Sequence, residues 1–320
     1  MKSLQEYRNF YNDRLKPKLD DIEKQRTEIR SKRNRALIIY FSIAAIIAII
    51  IMTSTRSPFA IFIIFGLIII GLMIVSSFSG NFNKIFKTEI INEVIKFFGE
   101  DLTYTPKEHI TEREYKQSNL YGSYDRYNGE DLISGTIFVT DEDERNGNGI
   151  NVRMSELHTE DRHTDSEGKT HYSTIFKGVF MIVDFNKSFK SSTYVLKDSG
   201  ILNCIGGKSG TSRVKLEDVE FEKEFEVYSE DQIEARYILT PSFMEKLKGL
   251  KDKTKGEMRI AFRNNQMYLT IYTYDNLLEA SLGQSLEKFE DLAVYYEQLN
   301  FYFSIIEDLS LNNNIWNKDY

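Results

Sequence analysis

The chain has 320 residues, 41 Lys and Arg against 48 Asp and Glu, 22 Phe, 19 Tyr and a single cysteine, Cys204. One cysteine excludes an internal disulfide framework and suits a reducing compartment. The formal charge of −7 argues against a nucleic-acid partner, whose phosphates would be repelled by an acidic body.

Residues 3–34 predict a helix, with Leu4, Tyr7, Tyr11, Leu15, Leu19, Ile22 and Ile29 spaced by threes and fours among Glu, Lys and Arg. That stripe suits pairing with a second copy or lying against the cytosolic domain. Pro17 removes a backbone donor and predicts an interruption there.

Two nearly unbroken apolar runs follow, Ala36 to Thr53 and Pro58 to Phe78, separated by Ser54-Thr55-Arg56-Ser57. Eighteen helical residues span about 27 Å, close to the hydrocarbon thickness, and a helix satisfies its own backbone there. The runs predict a transmembrane hairpin over 36–80, between a basic helical segment (1–35) and a body of about 240 residues (81–320). Because a charged 35-residue segment precedes the first run and a second run follows at once, a cleaved signal peptide is not expected. Positive charge gathers at the helix ends, at Arg30, Lys32, Arg33 and Arg35 before the first run and Lys84 and Lys87 after the second. The positive-inside bias then places both termini in the cytoplasm of a two-span protein of the cell membrane. These basic residues can also attract anionic lipid. The body, with 29 basic against 42 acidic residues over 81–320, is repelled by anionic lipid headgroups.

From Asn81 to Phe98 an amphipathic helix is expected, carrying Phe82, Ile85, Phe86, Ile90, Val94, Phe97 and Phe98 on one side and ending at Gly99. It either begins a core or lies on the membrane. Beyond it the pattern changes to β-branched and aromatic runs at 132–140, 150–157, 170–184, 192–196, 212–216, 258–262 and 266–273, the last two flanking Arg263-Asn264-Asn265 as a hairpin turn. Helices are expected at 216–228, at 242–250 after Thr240-Pro241, and at 285–311. The stretch 141–149, rich in Asp, Glu, Asn and Gly, reads as a polar loop. The order of elements predicts an α+β body with a mixed antiparallel sheet.

Three strings carry a resemblance: Gly129-Glu130-Asp131-Leu132-Ile133-Ser134-Gly135; Phe176-Lys177-Gly178-Val179-Phe180-Met181-Ile182-Val183-Asp184-Phe185-Asn186-Lys187; and Phe221 to Ser229 continuing through Glu234-Ala235-Arg236-Tyr237-Ile238-Leu239-Thr240-Pro241. They resemble the signatures of an uncharacterised bacterial domain-of-unknown-function family of two-span membrane proteins. The resemblance implies the same layout of basic helix, two adjacent spans and a cytosolic domain ending in a long helix with a Trp, here Trp316. It implies no activity, substrate or catalytic residue.

No motif for catalysis emerges from the residues themselves. Gly206-Gly207-Lys208-Ser209 imitates the end of a phosphate-binding loop, but Leu202 stands where that loop needs glycine, so a surface turn is the favoured reading. His158, His163 and His171 sit among Glu156, Asp161, Asp165 and Glu167, yet lack the spacing that puts two metal ligands on one helical face. There is no Gly-x-Ser-x-Gly elbow, and Cys204 would be a nucleophile only beside a histidine. No cofactor or metal is implied. Asp131, Asp184, Glu234 and Arg236, which lie in the family-like strings, form the candidate polar site; their alternative roles are turn capping for Glu130 and Asp131 and an ion pair between Glu234 and Arg236. The expectation is a membrane-anchored, cytosol-facing binding or adaptor protein, whose partners are the bilayer and another protein or a second copy of itself. The alternative is a membrane-tethered enzyme acting on a lipid-linked or small cytosolic substrate. Two spans with few polar residues offer no midplane site for a transporter unless several copies assemble.

Overall fold

The computed structural model of the protein describes residues 2–54, 60–184, 190–197, 210–254, 257–273 and 276–310. The Thr55–Pro58 part of the turn, the Gly206–Ser209 string, Cys204 and Trp316 lie outside them. The described residues fall into two compact units. One comprises 2–97 and 278–297, the other 98–277 and 298 onward.

The helical unit begins with a short helix, α1 (Leu4–Phe10), whose capping box joins Ser3 and Glu6. A π-helical turn (Tyr11–Leu15) leads into α2 (Lys16–Ser54). Pro17 therefore does not break the chain into separate helices. The widened turn falls just before it and absorbs the missing donor and the clash of the ring with the preceding turn. Helix α3 (Ala60–Phe86) continues through a second π turn (Lys87–Ile91) into α4 (Asn92–Phe98).

Helices α2 and α3 pack side by side: Tyr40 donates to the Leu67 carbonyl at 2.5 Å, and Gly71 lies where an added Cβ would be 3.1 Å from the Phe41 ring. Both helices are long and apolar enough to cross a membrane. Their outer faces leave Ile38, Phe41, Ile49, Ile61, Phe62 and Phe65 half or more exposed. Water would not tolerate such a surface, but hydrocarbon would.

Toward the termini of this helical pair the apolar stripes turn inward. Tyr7, Leu15, Phe82, Phe86, Ile90, Ile91, Val94 and Ile95 are fully buried. Residues 278–297 cover them: Tyr7 stacks on Tyr296 with ring centroids 4.4 Å apart, and its hydroxyl donates to the Leu292 carbonyl. Tyr11 donates to the Glu287 carbonyl at 3.0 Å, and Asn83 accepts from the Ala280 N–H at 3.0 Å. The stripe from Tyr7 to Ile22 is thus buried within this unit, and Leu4 stays exposed.

Among the described residues the second unit is built on nine antiparallel strands: β1 (Thr103–Thr105), β2 (Arg126–Ile137), β3 (Ile150–Thr164), β4 (Thr170–Asp184), β5 (Thr193–Lys197), β6 (Ser212–Val214), β7 (Phe225–Ser229), β8 (Met258–Arg263) and β9 (Gln266–Tyr272). Their spatial order is β1-β2-β3-β4-β9-β8-β5-β7-β6. Period-2 alternation sorts the side chains. One face is largely aromatic, with Phe176, Phe180, Ile182, Tyr194, Tyr228 and Tyr268, and packs on Ile110, Tyr115 and Leu120. The other carries Val179, Met181, Val183, Leu269 and Ile271.

The helices are α5 (Glu112–Ser118), α6 (Asp141–Asn146), α7 (Val219–Glu222), α8 (Gln232–Ile238), α9 (Pro241–Lys253) and α10 (Phe289–Ser310), which gives residues 289–297 to the helical unit and the rest to this one. Pro241 opens α9 with Thr240 as its N-cap, matching the Thr-Pro start signal.

Two expectations change here. The helix expected over 216–228 is only the short α7, and Phe225–Ser229 is instead strand β7, buried at every position. Pairing with both β5 and β6 outweighs the local helical tendency of Glu-Lys-Glu. The polar stretch 141–149 closes into α6, because Thr140 and Asp143 form a capping box.

Candidate functional site

The candidate residues occupy three places in the sheet unit. Asp131 sits in β2, where the register shifts between Glu130 and Ile133. Such a bulge leaves ladder groups unpaired, and the chain before it supplies substitutes. The Asp131 N–H donates to the Pro106 carbonyl at 3.1 Å and the Leu132 N–H to Glu108 at 3.0 Å. Asp131 adopts φ 61°, which Asp tolerates better than most residues. Its side chain, only 3% exposed, accepts the Tyr104 hydroxyl at 2.5 Å.

Beside it lies Glu156, which is buried and stands opposite Glu130 on β2 and Val179 on β4. It accepts the Leu277 N–H at 2.8 Å. Burial pushes its carboxyl up to about 7; the Leu277 bond and Lys177 oppose this, while Glu130 and Asp131 reinforce it. The result is a buried carboxyl tuned near neutrality at the end of an aliphatic row, Ile150, Val152 and Met154. Glu156 enters the sequence reading only as a neighbour of the histidines. The alternation that places it on an apolar face was legible; its burial was not.

Asp184 lies at the opposite end of β4, in register with Asn151 and Gln266. Glu234 and Arg236 are on α8, beside the far edge of the sheet. They do not serve as a pair. Glu234 accepts the Lys190 N–H at 2.9 Å, the Ser191 N–H at 2.8 Å and the Ser191 hydroxyl, tying down the approach to β5. Arg236 donates to the Gln232 and Lys215 carbonyls at 2.8 and 3.0 Å, and Gln232 to Arg213 at 3.1 Å. These α8 side chains occupy main-chain acceptors of the β6 edge segment, which would otherwise invite another strand. The same helix leaves Ile233 81% and Tyr237 56% exposed, four residues apart on one face.

The histidines belong to the β3–β4 hairpin, where His163 stands opposite His171 and His158 opposite Lys177. Their bonds run to Ser173, Asp165 and Thr174 at 2.8, 2.9 and 3.0 Å. Among the described residues no group of three His, Cys, Asp or Glu is placed to hold a metal ion.

In the helical unit the basic flank divides. Arg30, Lys32, Arg35 and Lys84 are exposed and Arg33 half-buried, whereas Lys87, in the second π turn, is buried at 5% exposure. Arg26 is buried too. It donates to Glu23 at 2.8 Å and to the Leu282 carbonyl at 2.9 Å, and Glu23 in turn accepts the Leu286 N–H at 3.3 Å. The Arg26 bond holds the Glu23 carboxyl below its usual range. A groove of about 580 Å³ between α2 and α3 is lined by Lys18, Asp21, Gln25, Asn81, Lys84 and Glu89 among others.

Residues 174–311 match the sequence profile of a family described as a protein of unknown function, DUF3137. Two of the three family-like strings lie within this stretch, and Gly129–Gly135 lies outside it. No curated protein matches the sequence. Among solved structures, the mycobacterial trehalose monomycolate transport factor A aligns at a TM-score of 0.34 and 8% identity, over 70% of this chain and 94% of that one.

Proposed function

We propose that this protein is a membrane-anchored binding or adaptor module, with two spans in the cell membrane, both termini in the cytoplasm and the sheet unit facing the cytosol. The observation that carries it is the pairing of a hairpin with a lipid-seeking surface and a sheet unit whose candidate polar residues are engaged in structural bonds. Asp131 serves a bulge, Glu234 the approach to β5, and Arg236 the shielding of an edge. Ile233 and Tyr237 on α8 offer the sheet unit an apolar contact for a partner protein with an apolar surface of its own. The exposed cations Arg30, Lys32, Arg35 and Lys84 suit the anionic cytoplasmic leaflet.

Two measurements test this. In a Cys204→Ser background, Ser3→Cys should react with a membrane-impermeant maleimide only after the cells are opened; labelling of intact cells would reverse the topology. Photo-crosslinkers placed at Ile233 and Tyr237 of the full chain in cells should give one discrete adduct that a crosslinker at exposed Lys169 does not give. Identical adduct patterns at all three positions would remove the adaptor reading.

The tethered-enzyme reading draws on Glu156, because general acid–base chemistry needs a carboxyl poised near the working pH. It requires that Glu156→Gln fail to complement a cellular phenotype of the deletion while the protein stays folded. Full complementation by that variant would eliminate it.

A further inference from the structure

Three cations of the sheet unit, Arg113, Lys116 and Arg263, line one basin. A surface basin of about 570 Å³ is lined by Glu112, Arg113, Lys116, Gln117, Arg263 and Asn264. Two rigid elements build it. On α5, the Thr111–Glu114 capping box sets the helix start, and 3.6-residue periodicity brings Arg113, Lys116 and Gln117 to one side. Opposite them, the β8–β9 turn is made by Asn264 and Asn265 at φ 51° and 63°. This is the paired positive-φ geometry of a tight hairpin, and it fixes Arg263 as the last residue of β8.

The Arg263 guanidinium joins the two elements. Its Nε donates to the Ser192 hydroxyl and its Nη1 to the Gln117 carbonyl, both at 3.1 Å. These two bonds orient the group before any ligand arrives, and Nη2 has no such bond among the described residues. Lys116 pairs with exposed Glu112 at 2.7 Å, a contact of little energetic weight, and its ammonium lies 5.3 Å from the centroid of the Tyr124 ring. Arg113 has no hydrogen-bond or ion-pair partner among the described residues. Three cations and one carboxylate thus face one basin, in a part of the chain where acids outnumber bases 42 to 29 over residues 81–320.

We propose that this basin binds a phosphate-bearing ligand, with Arg263 as the pre-oriented anchor and Arg113 and Lys116 as the mobile cations that close on it. A planar guanidinium matches two phosphate oxygens at once, while an ammonium supplies a point charge. A multiply charged phosphate neutralises the local excess, and a singly charged carboxylate does not. The site goes beyond the adaptor reading, which rests on the hairpin and α8, and it stands or falls separately from it.

The test is calorimetric titration of inorganic pyrophosphate into the full-length protein, first in neutral detergent. Saturable binding is expected, weakened about tenfold by Arg113→Gln, weakened further as salt is raised, and untouched by Lys169→Gln on the β3–β4 hairpin. Arg113 is exposed and has no hydrogen-bond or ion-pair partner among the described residues, so its substitution should leave the near-ultraviolet circular dichroism unchanged. A second titration in bilayer discs, with and without phosphatidic acid, separates the sources of phosphate. Weaker apparent pyrophosphate binding in the phosphatidic-acid discs, lost in Arg113→Gln, identifies a lipid headgroup; equal binding in both identifies a soluble phosphate ester. Absence of saturable binding up to 10 mM pyrophosphate, or a change of less than threefold in Arg113→Gln, overturns the proposal.

Discussion

Glu156→Gln should convert a pH-dependent stability into a flatter one. Glu156 is 8% exposed, and its carboxyl is moved from its ordinary 4.5 to about 7 by burial, with Glu130 and Asp131 adding repulsion. Between those values the folded chain holds a proton that the unfolded chain has released. The contribution of this group is therefore fully present below pH 4.5 and is lost as pH rises through 7. At about 1.4 kcal/mol per decade of proton affinity, the ionised carboxylate weakens the folded state by about 3 kcal/mol once titration is complete. Glutamine preserves the volume and the oxygen that accepts the Leu277 N–H at 2.8 Å, but carries no charge to desolvate. Urea unfolding of the full chain in detergent, followed by the near-ultraviolet signal of its tyrosines from pH 4.5 to 8.5, gives the comparison. The variant should match the wild type near pH 4.5 and exceed it by about 3 kcal/mol above pH 8. A difference that stays constant across that range would refute the argument that burial sets the Glu156 protonation.

Three further substitutions probe separate parts of the fold. Gly178→Ala should cost several kcal/mol by the same urea assay, because Gly178 has φ 152° and an added Cβ would lie 2.1 Å from the Ile271 carbonyl; wild-type stability would contradict the β4–β9 register. Arg26→Ala leaves Glu23 buried without its cation and Leu282 without its donor. A loss of about 3 kcal/mol is expected, read as faster protease cleavage within residues 278–297, and unchanged cleavage would deny the pair its anchoring role. Arg236→Ala withdraws the donor to the Lys215 carbonyl beside the β6 edge; size-exclusion chromatography in detergent should show more self-association, and an unaltered profile would assign edge protection elsewhere.

The features legible in the sequence are those that depend on local periodicity. The apolar runs of α2 and α3, the amphipathic stretch 81–98, the Thr240-Pro241 start of α9 and the Asn264-Asn265 turn follow from spacing or from a backbone preference that few other residues share. Strand β7 was not legible, because Phe225-Glu226-Val227-Tyr228-Ser229 alternates no more clearly as a strand than as a helix. Its identity is decided by β5 and β6 on either side. The candidate site divides in the same way. Asp131 and Glu234 lie in recognisable strings, yet their partners, Tyr104 and Ser191, are 27 and 43 residues away.

Sequence alone determined that two helices are long and apolar enough to cross a membrane and that an α+β unit accompanies them. A continuous apolar surface has one stable environment wherever the rest of the chain folds. Tertiary structure decided what the charged residues do. It buried Lys87, paired Arg26 with Glu23, raised Glu156 toward neutrality and turned Arg263 toward Arg113 and Lys116. The behaviour of a charge depends on the solvent it loses and the partners it meets, and distant segments of the chain supply both.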